Sequence, residues 1–294
     1  MKFILNSLVL FMLFTSSIQA ADVMVSTDWL HKNLNNKSIV LVDMSGEETQ
    51  YQRFHIPGAI YIDYGYLVAK RKKDKVSFRV SDKRFYKVLG YFGIKQDDHV
   101  VIYDDMGGLH AGRLFWQLEQ IGHKKISVVD GGLVKWILEG KKVVNKISER
   151  PSVKYEPGEK TLDNEINLKQ VKSLLNTPKA TILDVRTKEE YLGHPKYKRT
   201  GHMPGAKLWP WDDSLNYEGG FTLKSDETLQ ASLKKVGIKN KNTPIVLYCR
   251  SGHRASQSYL ALKHLGYDNI KLYDGSMAEY SKDKASPIKQ GKAP

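Results

Sequence analysis

The apolar residues of this chain are grouped in short unbroken runs, most of which end at or beside an aspartate. Runs of four or five apolar residues are typical of strands that are buried on both faces of a sheet. In the first half the runs are Ile39–Val42, Val100–Tyr103 and Ile126–Val129. The patterns between and after such runs predict helices over residues 28–34, 111–120 and 255–264. Strands followed by helices favour an α/β fold with a parallel sheet covered on both faces.

The same landmarks occur twice, in the same order. Each pair is separated by 141 to 147 residues: Asp43 and Asp184, His55 and His202, Tyr103 and Tyr248, and Asp130 and Asp274. A near-constant offset over four landmarks predicts two homologous doubly wound domains. We place them at residues 21–144 and 161–280, with a linker rich in proline and charge at 145–160 and a tail at 281–294. The tail is expected to be loose or to pack on the other domain.

The first twenty residues have the pattern of a secretory signal peptide. Lys2 is followed by a nearly unbroken apolar stretch from Phe3 to Phe14, and Ala20 offers a small residue for cleavage. We therefore expect an exported protein, periplasmic or secreted, with no membrane span after cleavage. An uncleaved anchor or a neighbouring cleavage site is the alternative.

Composition and charge indicate which kinds of binding partner to expect. Apolar residues make up 41% of the chain and charged residues 27%, as in globular proteins. The formal net charge is +14, but the lysines are scattered, and no nucleic-acid-binding module is recognisable, so we predict no nucleic-acid partner. The excess positive charge would attract a small anion or a membrane surface. Without a metal-ligand cluster or a nucleotide fingerprint, we predict no cofactor and no metal.

Cys249 is the single cysteine of the chain and follows the apolar run Ile245–Tyr248. One cysteine cannot form a disulfide within an exported chain, and this one lies in a polar, glycine-containing turn between a strand and a helix. A reactive thiol is favoured over a buried cysteine that acts as a small apolar residue. Loop amides, the start of the next helix, Arg250 and Arg254 would all favour its thiolate.

The first repeat has no sulfur in this turn, because Asp104 occupies the place of Cys249 and Asp105 that of Arg250. The chemistry is therefore expected in the second domain. Its loop has the spacing C-x4-R up to Arg254, whereas cysteine phosphatases have C-x5-R and the residue at that place is Ala255. The shorter loop suits a single sulfur atom on Cys249 better than a phosphate.

These motifs resemble the two-domain rhodaneses, which are thiosulfate sulfurtransferases, with an active C-terminal and an inactive N-terminal domain. The resemblance covers the mature chain and rests on Asp184–Arg186, the Gly201–Ala206 turn, the Cys249–Arg254 loop, Tyr273–Ser276 and, in the first half, Asp43, His55–Ala59 and Val129–Gly132. It implies that Cys249 takes the outer sulfur of a donor such as thiosulfate, holds it as a persulfide and passes it to cyanide or a thiol.

The resemblance also implies roles for the residues around Cys249. Arg186 would hold the anionic donor, unless it forms an ion pair with Asp184 or Glu190. Arg250 would hold the sulfonate end of thiosulfate, Arg254 would mainly anchor the loop, and His253 would line the entrance. The predicted substrate-binding set is therefore Arg186, Arg250, Ser251, Gly252, His253 and Arg254.

The loop departs from the family pattern at two places. Ser251 replaces the lysine of thiosulfate enzymes, and His253-Arg254 replaces their Val-Thr ending. Arg250 still favours thiosulfate over mercaptopyruvate as the donor. A persulfide carrier that serves a partner protein is the main alternative function, and an anion hydrolase is disfavoured by the loop length. Whether Asp43 and His55 reach the pocket is left open by the sequence.

Overall fold

The computed structural model describes residues 21–160 and 162–294. The predicted signal peptide, residues 1–20, lies outside the described residues. None of the helices within the described ranges combines the length and the apolar character needed to cross a membrane.

The N-terminal domain is built on a five-stranded parallel sheet with the order β1-β7-β6-β2-β3. Its strands are β1 (Met24–Val25), β2 (Ile39–Asp43), β3 (Ile60–Tyr61), a small hairpin of β4 (Val68–Lys70) and β5 (Ser77–Arg79), β6 (His99–Tyr103) and β7 (Ile126–Val129). Its helices are α1 (Thr27–Asn33), α2 (Glu48–Arg53), α3 (Asp82–Tyr91), α4 (Ala111–Gln120) and α5 (Gly132–Leu138).

The C-terminal domain repeats this plan with a four-stranded parallel sheet of order β13-β12-β8-β9. Its strands are β8 (Thr181–Asp184), β9 (Lys207–Leu208), the hairpin β10 (Leu215–Asn216) and β11 (Thr222–Leu223), β12 (Ile245–Tyr248) and β13 (Ile270–Leu272). Its helices are α6 (Leu168–Leu174), α7 (Lys188–Leu192), α8 (Asp226–Lys235), α9 (His253–His264) and α10 (Ser276–Tyr280).

The prediction of two tandem doubly wound domains with parallel sheets is confirmed. The second sheet lacks a full counterpart of β1, since Glu165 forms a single parallel bridge with Leu272 at that edge. The central strands β6 and β12 are buried along almost their whole length, which explains why they appear as unbroken apolar runs.

An equivalent hydrogen bond between a tyrosine and an aspartate in each domain explains why these landmark residues occur twice. The Tyr248 hydroxyl donates to the Asp184 carboxylate at 2.8 Å, and the Tyr103 hydroxyl donates to Asp43 at 2.5 Å. His55 is buried and stacks on Tyr51 at 3.9 Å within the same domain. Asp43 and His55 therefore support the fold of the N-terminal domain. The side-chain hydrogen bonds of both residues are with groups of residues 45–146.

The two domains pack through helices α4 and α9. Gly112 lies where these helices come closest, because a Cβ atom there would be 2.8 Å from the carbonyl oxygen of Ser256. The apolar core is continuous across this boundary and includes Leu114 of α4 and Leu260 of α9. Since α9 begins at the Cys249 loop, its packing on the N-terminal domain fixes the position of the loop.

The segments outside the two sheets also pack against them. In the linker, Tyr155 is buried, and Val153 donates its amide to the carbonyl of Gly90. The tail packs on its own domain, where Lys289 pairs with His202 in an antiparallel bridge. The expectation of a loose tail, or of one packed on the other domain, is wrong for this part of the tail. The equivalent bridge in the first domain, His55 with Val144, shows that the tail closes its domain.

Candidate active site

The candidate nucleophile lies at the carboxyl end of β12, an inner strand of the second sheet. Cys249 follows Tyr248 directly and is 1% exposed. Gly252 takes a φ of +76°, and helix α9 begins immediately after it at His253. The predicted helix start at Ala255 is thus two residues late, because the left-handed glycine turns the chain into the helix early. His253 and Arg254 therefore belong to the first turn of α9.

The Ser276 side chain hydrogen-bonds to the backbone of the loop that carries Cys249. Its hydroxyl donates to the carbonyl of Tyr273 at 2.8 Å and accepts the amides of Cys249 and Gly252, each at 3.1 Å. The next two amides, those of Met277 and Ala278, donate to the carbonyls of Cys249 and Arg250. Ser276 has a φ of +47°, a strained conformation for a residue with a Cβ atom. The loop is thereby bound to α10 on both sides of the cysteine.

Five backbone amides around this loop remain unpaired. Within the described ranges, the N–H groups of Arg250, Ser251, His253, Arg254 and Ala255 have no hydrogen-bond acceptor. Three of them belong to the first turn of α9, where helix amides lack internal partners and the helix dipole is positive. We refer to these five N–H groups as the loop amides. They form a site that favours negative charge at the position of Cys249.

In the N-terminal domain, the side chain of Asp104 occupies the matching loop. The Asp104 carboxylate accepts the amides of Met106 at 3.0 Å, Gly108 at 2.9 Å, His110 at 2.9 Å and Ala111 at 3.0 Å. A carboxylate in this place takes up the donors that an external anion would need. The first loop is therefore closed to anions, whereas the loop around Cys249 is open.

The N-terminal domain contributes a buried ion pair beside the loop. Arg113 of α4 is completely buried and contacts Asp274 through two hydrogen bonds, at 2.5 Å and 3.0 Å. Burial lowers the pKa of Arg113, but the charge and hydrogen bonds of Asp274, together with the neighbouring Tyr64, outweigh this effect, so the pKa is raised. Gly252 allows the pair to sit here, because a Cβ atom at this residue would be 2.2 Å from Asp274 Oδ1.

Three aromatic rings meet at the domain boundary next to the loop. The His253 ring lies 4.5 Å from the ring of Tyr64 and 4.9 Å from that of His110. Burial, with the neighbouring His110, Arg113 and Arg254, lowers the pKa of His253 to about 3. Burial also raises the pKa of Tyr64 to about 12. His253 is therefore a neutral imidazole and Tyr64 a neutral phenol near pH 7.

Two of the predicted arginines are engaged by carboxylates. Arg186 donates to both oxygens of Asp184, at 2.9 Å and 2.5 Å, and its Nη1 lies 3.9 Å from Glu190. Burial lowers the pKa of Arg186, but the hydrogen bonds and charge of Asp184, together with Tyr248 and Glu190, outweigh it, so the pKa is raised. Arg254 holds Glu190 of α7 at 2.5 Å and 3.0 Å. These contacts anchor both side chains, and donor binding by either remains a prediction.

The remaining predicted residues lie at the opening of the site. Arg250 is exposed, and its guanidinium has no partner within the described part of the chain. Ser251 is half-buried. Arg186 and Arg250 both line a cavity of about 580 Å³, whose wall also includes Met277 and Lys282. The structure thus places Arg186 at the same cavity as Arg250, the residue after Cys249.

Sequence reasoning did not assign roles to Arg113, Asp274, Ser276 and Tyr64. Asp274 and Ser276 lie in the Tyr273–Ser276 motif that carries the family resemblance. The motif alone indicates no role for either side chain. A single arginine among the apolar residues of α4 was the available signal for Arg113. Tyr64 lies in a short 3₁₀ turn with no recognisable pattern. Among the described residues, no group of three or more His, Cys, Asp or Glu side chains could hold a metal ion.

Comparison with known proteins supports this geometry. A family model described as a rhodanese-like domain matches residues 26–139 and 167–283. The sulfur carrier protein TtuD of Thermus thermophilus is 33% identical, over 92% of this chain and 97% of its own length. A Mycobacterium tuberculosis protein named "Putative thiosulfate sulfurtransferase" is also 33% identical, over 92% of this chain and 98% of its own.

Solved structures show the same fold. SseA of Escherichia coli, which represents the rhodanese fold of 3-mercaptopyruvate sulfotransferases, is 26% identical with a TM-score of 0.75. The alignment covers 87% of this chain and 98% of SseA. Wild-type EanB is 20% identical with a TM-score of 0.81, over 92% of this chain and 70% of EanB.

Proposed function

The chain belongs to the two-domain rhodanese family of sulfurtransferases, and from this premise we propose that it takes a sulfane sulfur from thiosulfate and passes it to cyanide or a thiol through a persulfide on Cys249. The division of one transfer into two displacements is covalent catalysis.

In the first step, the Cys249 thiolate attacks the outer sulfur of thiosulfate. A bond forms between Cys249 Sγ and this sulfur, the sulfur–sulfur bond of thiosulfate breaks, and its electron pair leaves with sulfite. The total charge is unchanged, because the persulfide anion replaces the thiolate and sulfite replaces thiosulfate. The loop amides favour both the thiolate and the persulfide anion.

In the second step, an acceptor anion attacks the outer sulfur of the persulfide. The new bond joins the acceptor to this sulfur, and the bond to Cys249 Sγ breaks, returning its electron pair to the thiolate. Cyanide gives thiocyanate in this way. No external oxidant or reductant is consumed.

The contrast between the two loops carries the proposal. The two loops follow equivalent strands but differ in their backbone amides. In the first loop the amides donate to the Asp104 carboxylate, whereas in the second the loop amides around Cys249 are unpaired within the described residues. The unpaired amides around Cys249 can donate to an anion held at this loop, such as a persulfide anion.

Intact-mass measurement tests the proposal directly. The purified protein is incubated with thiosulfate or 3-mercaptopyruvate, and we expect one added sulfur atom, formed faster with thiosulfate. Added cyanide should release thiocyanate over many cycles. Cys249→Ser is the matched control and should gain no sulfur. Equal labelling of Cys249→Ser, or no labelling of the wild type, would refute the persulfide mechanism.

A persulfide carrier is the second candidate, favoured by the similarity to a relative named as a sulfur carrier protein. A carrier would load one sulfur per chain and release it slowly to small acceptors. Multiple turnovers with cyanide support the enzyme, whereas one stoichiometric transfer supports the carrier.

We propose in addition that the protein is exported and loses residues 1–20. The support is the charged start, the apolar stretch and the small residue at Ala20. Expression of the full-length chain in a bacterium, followed by fractionation and intact-mass analysis, should give a periplasmic or secreted product that begins at Ala21. A cytoplasmic product that retains Met1 would contradict export.

A further inference from the structure

We propose that the N-terminal domain carries a second binding site, which takes a small organic cation with an ammonium group on an apolar body. The site is a cavity of about 450 Å³, within the range of roughly 300–1,000 Å³ typical of clefts for organic ligands. We call it the aromatic cavity, because its wall includes Tyr61, Tyr66, Tyr91 and Phe92 beside the linker residues 147–150. None of the residues that line it belongs to the Cys249 loop.

The aromatic residues of this wall are exposed instead of packed in the core. Tyr66 is 43% exposed and Tyr91 is 65% exposed, and Ile147 on the linker side is 54% exposed. The rings of Tyr66 and Tyr91 each meet the Phe92 ring in a T-shaped arrangement, with centroids 5.5 Å and 5.1 Å away. Exposed apolar side chains gathered around a concave surface mark a binding site.

The floor of the aromatic cavity is fixed by Tyr51. Its hydroxyl donates to the carbonyl of Ala59 at 2.8 Å and accepts the amide of Ser148 at 3.2 Å. Its ring stacks on the ring of Tyr61, with centroids 5.4 Å apart. These contacts join α2, the segment before β3 and the linker, so the cavity is formed before any ligand binds.

The charges of the aromatic cavity favour a cation. Its wall contains the carboxylates of Glu48, Asp63 and Glu149, and none of them forms an ion pair within the described ranges. The single cation of the wall, Arg150, is engaged by Asp98 and is therefore not available to neutralise them. Three unneutralised carboxylates line this cavity in a chain whose formal net charge is +14.

Tyr61 lies in the field of these carboxylates. Burial raises the pKa of its hydroxyl, and the charges of nearby carboxylates, Asp63 first among them, raise it further. The field that disfavours a phenolate here stabilises a positive charge at the same place. Since the faces of aromatic rings also attract cations, the rings and the carboxylates favour the same kind of ligand.

The second domain has a cavity at the equivalent place, and its charge is opposite. Each cavity lies between the equivalent helices α2 and α7, the edge strands β3 and β9, the ends of α3 and α8, and the segment that closes its domain. Tyr191 corresponds to Tyr51, and its hydroxyl donates to the carbonyl of Ala206 as that of Tyr51 does to Ala59. The same framework thus surrounds both cavities.

The side chains added to this framework differ between the domains. Among the described residues, the wall of the second cavity contains no Asp or Glu and has five lysines: Lys188, Lys207, Lys234, Lys235 and Lys292. Tyr191 is its only aromatic residue within the described ranges. The acidic and aromatic wall of the first cavity is therefore a property of its own side chains and does not follow from the fold.

The ligand class follows from both parts of the wall. A metal ion is disfavoured, because within the described residues no group of three or more His, Cys, Asp or Glu could hold one. Aromatic rings need an apolar body to contact, and the carboxylates need a positive charge to pair with. An organic ammonium ion satisfies both, and the concave shape suits a small molecule.

Isothermal titration calorimetry of the whole protein with three ligands of one shape tests the proposal. Benzylammonium, benzyl alcohol and benzoate carry a positive, a zero and a negative charge on the same ring near pH 7. We expect the Kd of benzylammonium to be at least about tenfold below that of benzyl alcohol, a factor equivalent to about 1.4 kcal/mol. The Kd of benzylammonium should rise with sodium chloride, and benzoate should not displace it.

Substitutions at exposed residues locate the binding. We expect Glu149→Gln to raise the Kd of benzylammonium about threefold and Glu149→Lys about tenfold. Tyr91→Ala should raise it about threefold through loss of a ring contact. Asp97→Asn, which removes an exposed carboxylate of the same domain outside the cavity, should leave the Kd unchanged. Lys235→Gln, in the second cavity, should also leave it unchanged.

A cooperative thermal transition shows that each variant is folded. No heat of binding with benzylammonium, an equal Kd for benzyl alcohol, or a Kd that neither Glu149→Lys nor Tyr91→Ala alters would overturn the proposal. Binding of a lysine-rich peptide without binding of benzylammonium would overturn it as well, because the surface would then serve a protein partner. Cys249→Ser should bind benzylammonium as the unchanged protein does, so the result does not depend on sulfur transfer.

Discussion

At the scale of single residues, the catalytic loop depends on one hydroxyl group. Ser276 Oγ accepts the amides of Cys249 and Gly252 and donates to Tyr273. We predict that Ser276→Ala lowers the free energy of unfolding by about 2 kcal/mol, since two buried amides lose their acceptor. The same change should slow sulfur loading, because the loop is no longer held. Urea unfolding and the rate of mass increase with thiosulfate measure the two effects.

Ser286 provides the comparison for Ser276. It is also buried, and its hydroxyl donates to the Asp283 carboxylate in the tail. Ser286→Ala should lower stability without changing the rate of loading. A Ser276→Ala protein that loads as fast as Ser286→Ala would show that the hydroxyl does not organise the loop.

His253 makes folding sensitive to acid. Burial lowers its pKa to about 3 from an ordinary value of 6.5. Between these values the unfolded chain binds a proton that the folded chain does not, so stability must fall as the pH drops below about 6.5. The slope approaches about 1.4 kcal/mol per pH unit for one proton. We expect His253→Gln to reduce the slope of unfolding free energy between pH 6 and pH 4.

Comparison with the unchanged protein isolates His253 from other histidines. Burial also lowers the pKa of His99 and His123, so acid will still destabilise the variant. The difference between the two slopes reports His253 alone. Identical slopes would mean that this imidazole is protonated in the folded protein.

At the scale of elements, the two strand-to-helix loops differ in the acceptor to which their backbone amides donate. Asp104 accepts four amides of its loop. We predict that Asp104→Asn lowers the free energy of unfolding by about 1–3 kcal/mol, because hydrogen bonds to a charged acceptor are replaced by weaker ones. Chemical denaturation measures this loss. Sulfur loading of Cys249 should remain, since the nucleophile lies in the other domain.

Asp105→Asn is the control on the same loop. Its carboxylate accepts one exposed amide, that of Gly46 at 3.1 Å. It should therefore cost much less stability than Asp104→Asn. Equal losses would contradict the view that Asp104 fills the first loop as an internal anion.

The elements were largely predictable because buried parallel strands leave unbroken apolar runs. The predicted runs Ile39–Val42, Val100–Tyr103 and Ile245–Tyr248 lie in inner strands of the two sheets. The start of α9 was predicted two residues late, because His253 and Arg254 follow Gly252 in a polar stretch of the chain. A φ of +76° at Gly252 decides that boundary, and such a backbone angle is set by tertiary contacts.

At the scale of the whole molecule, the site is completed by the domain that lacks the nucleophile. Arg113 and Asp274 are 161 residues apart in the chain and bond in the buried boundary. No local pattern connects them, so the sequence predicted the residues of the Cys249 loop without the contribution of Arg113 from the other domain. Tyr64 and His110 also come from the N-terminal domain, and they contact His253 because α4 packs on α9. The sequence pattern does not indicate these contacts either.

The ion pair between Arg113 and Asp274 should couple the stability of the two domains. Both side chains are at most 2% exposed, so removal of one leaves a buried charge without its partner. We predict that Arg113→Met lowers the free energy of unfolding by about 3–5 kcal/mol. Adding Asp274→Asn to this variant should restore part of the loss, because the uncompensated carboxylate is removed. Non-additivity of this kind is expected for residues in direct contact.

Calorimetry and sulfur loading together distinguish coupling from a simple loss of stability. If the pair joins the domains, Arg113→Met should change one cooperative unfolding transition into two. Loading by thiosulfate should slow under conditions where the variant is still folded, because Asp274 lies against Gly252 of the catalytic loop. Arg150→Met is the comparison, since the partly exposed pair of Arg150 with Asp98 lies within the N-terminal part of the chain. Strictly additive effects of Arg113→Met and Asp274→Asn, with a single transition and normal loading, would show that the inactive domain does not organise the active one.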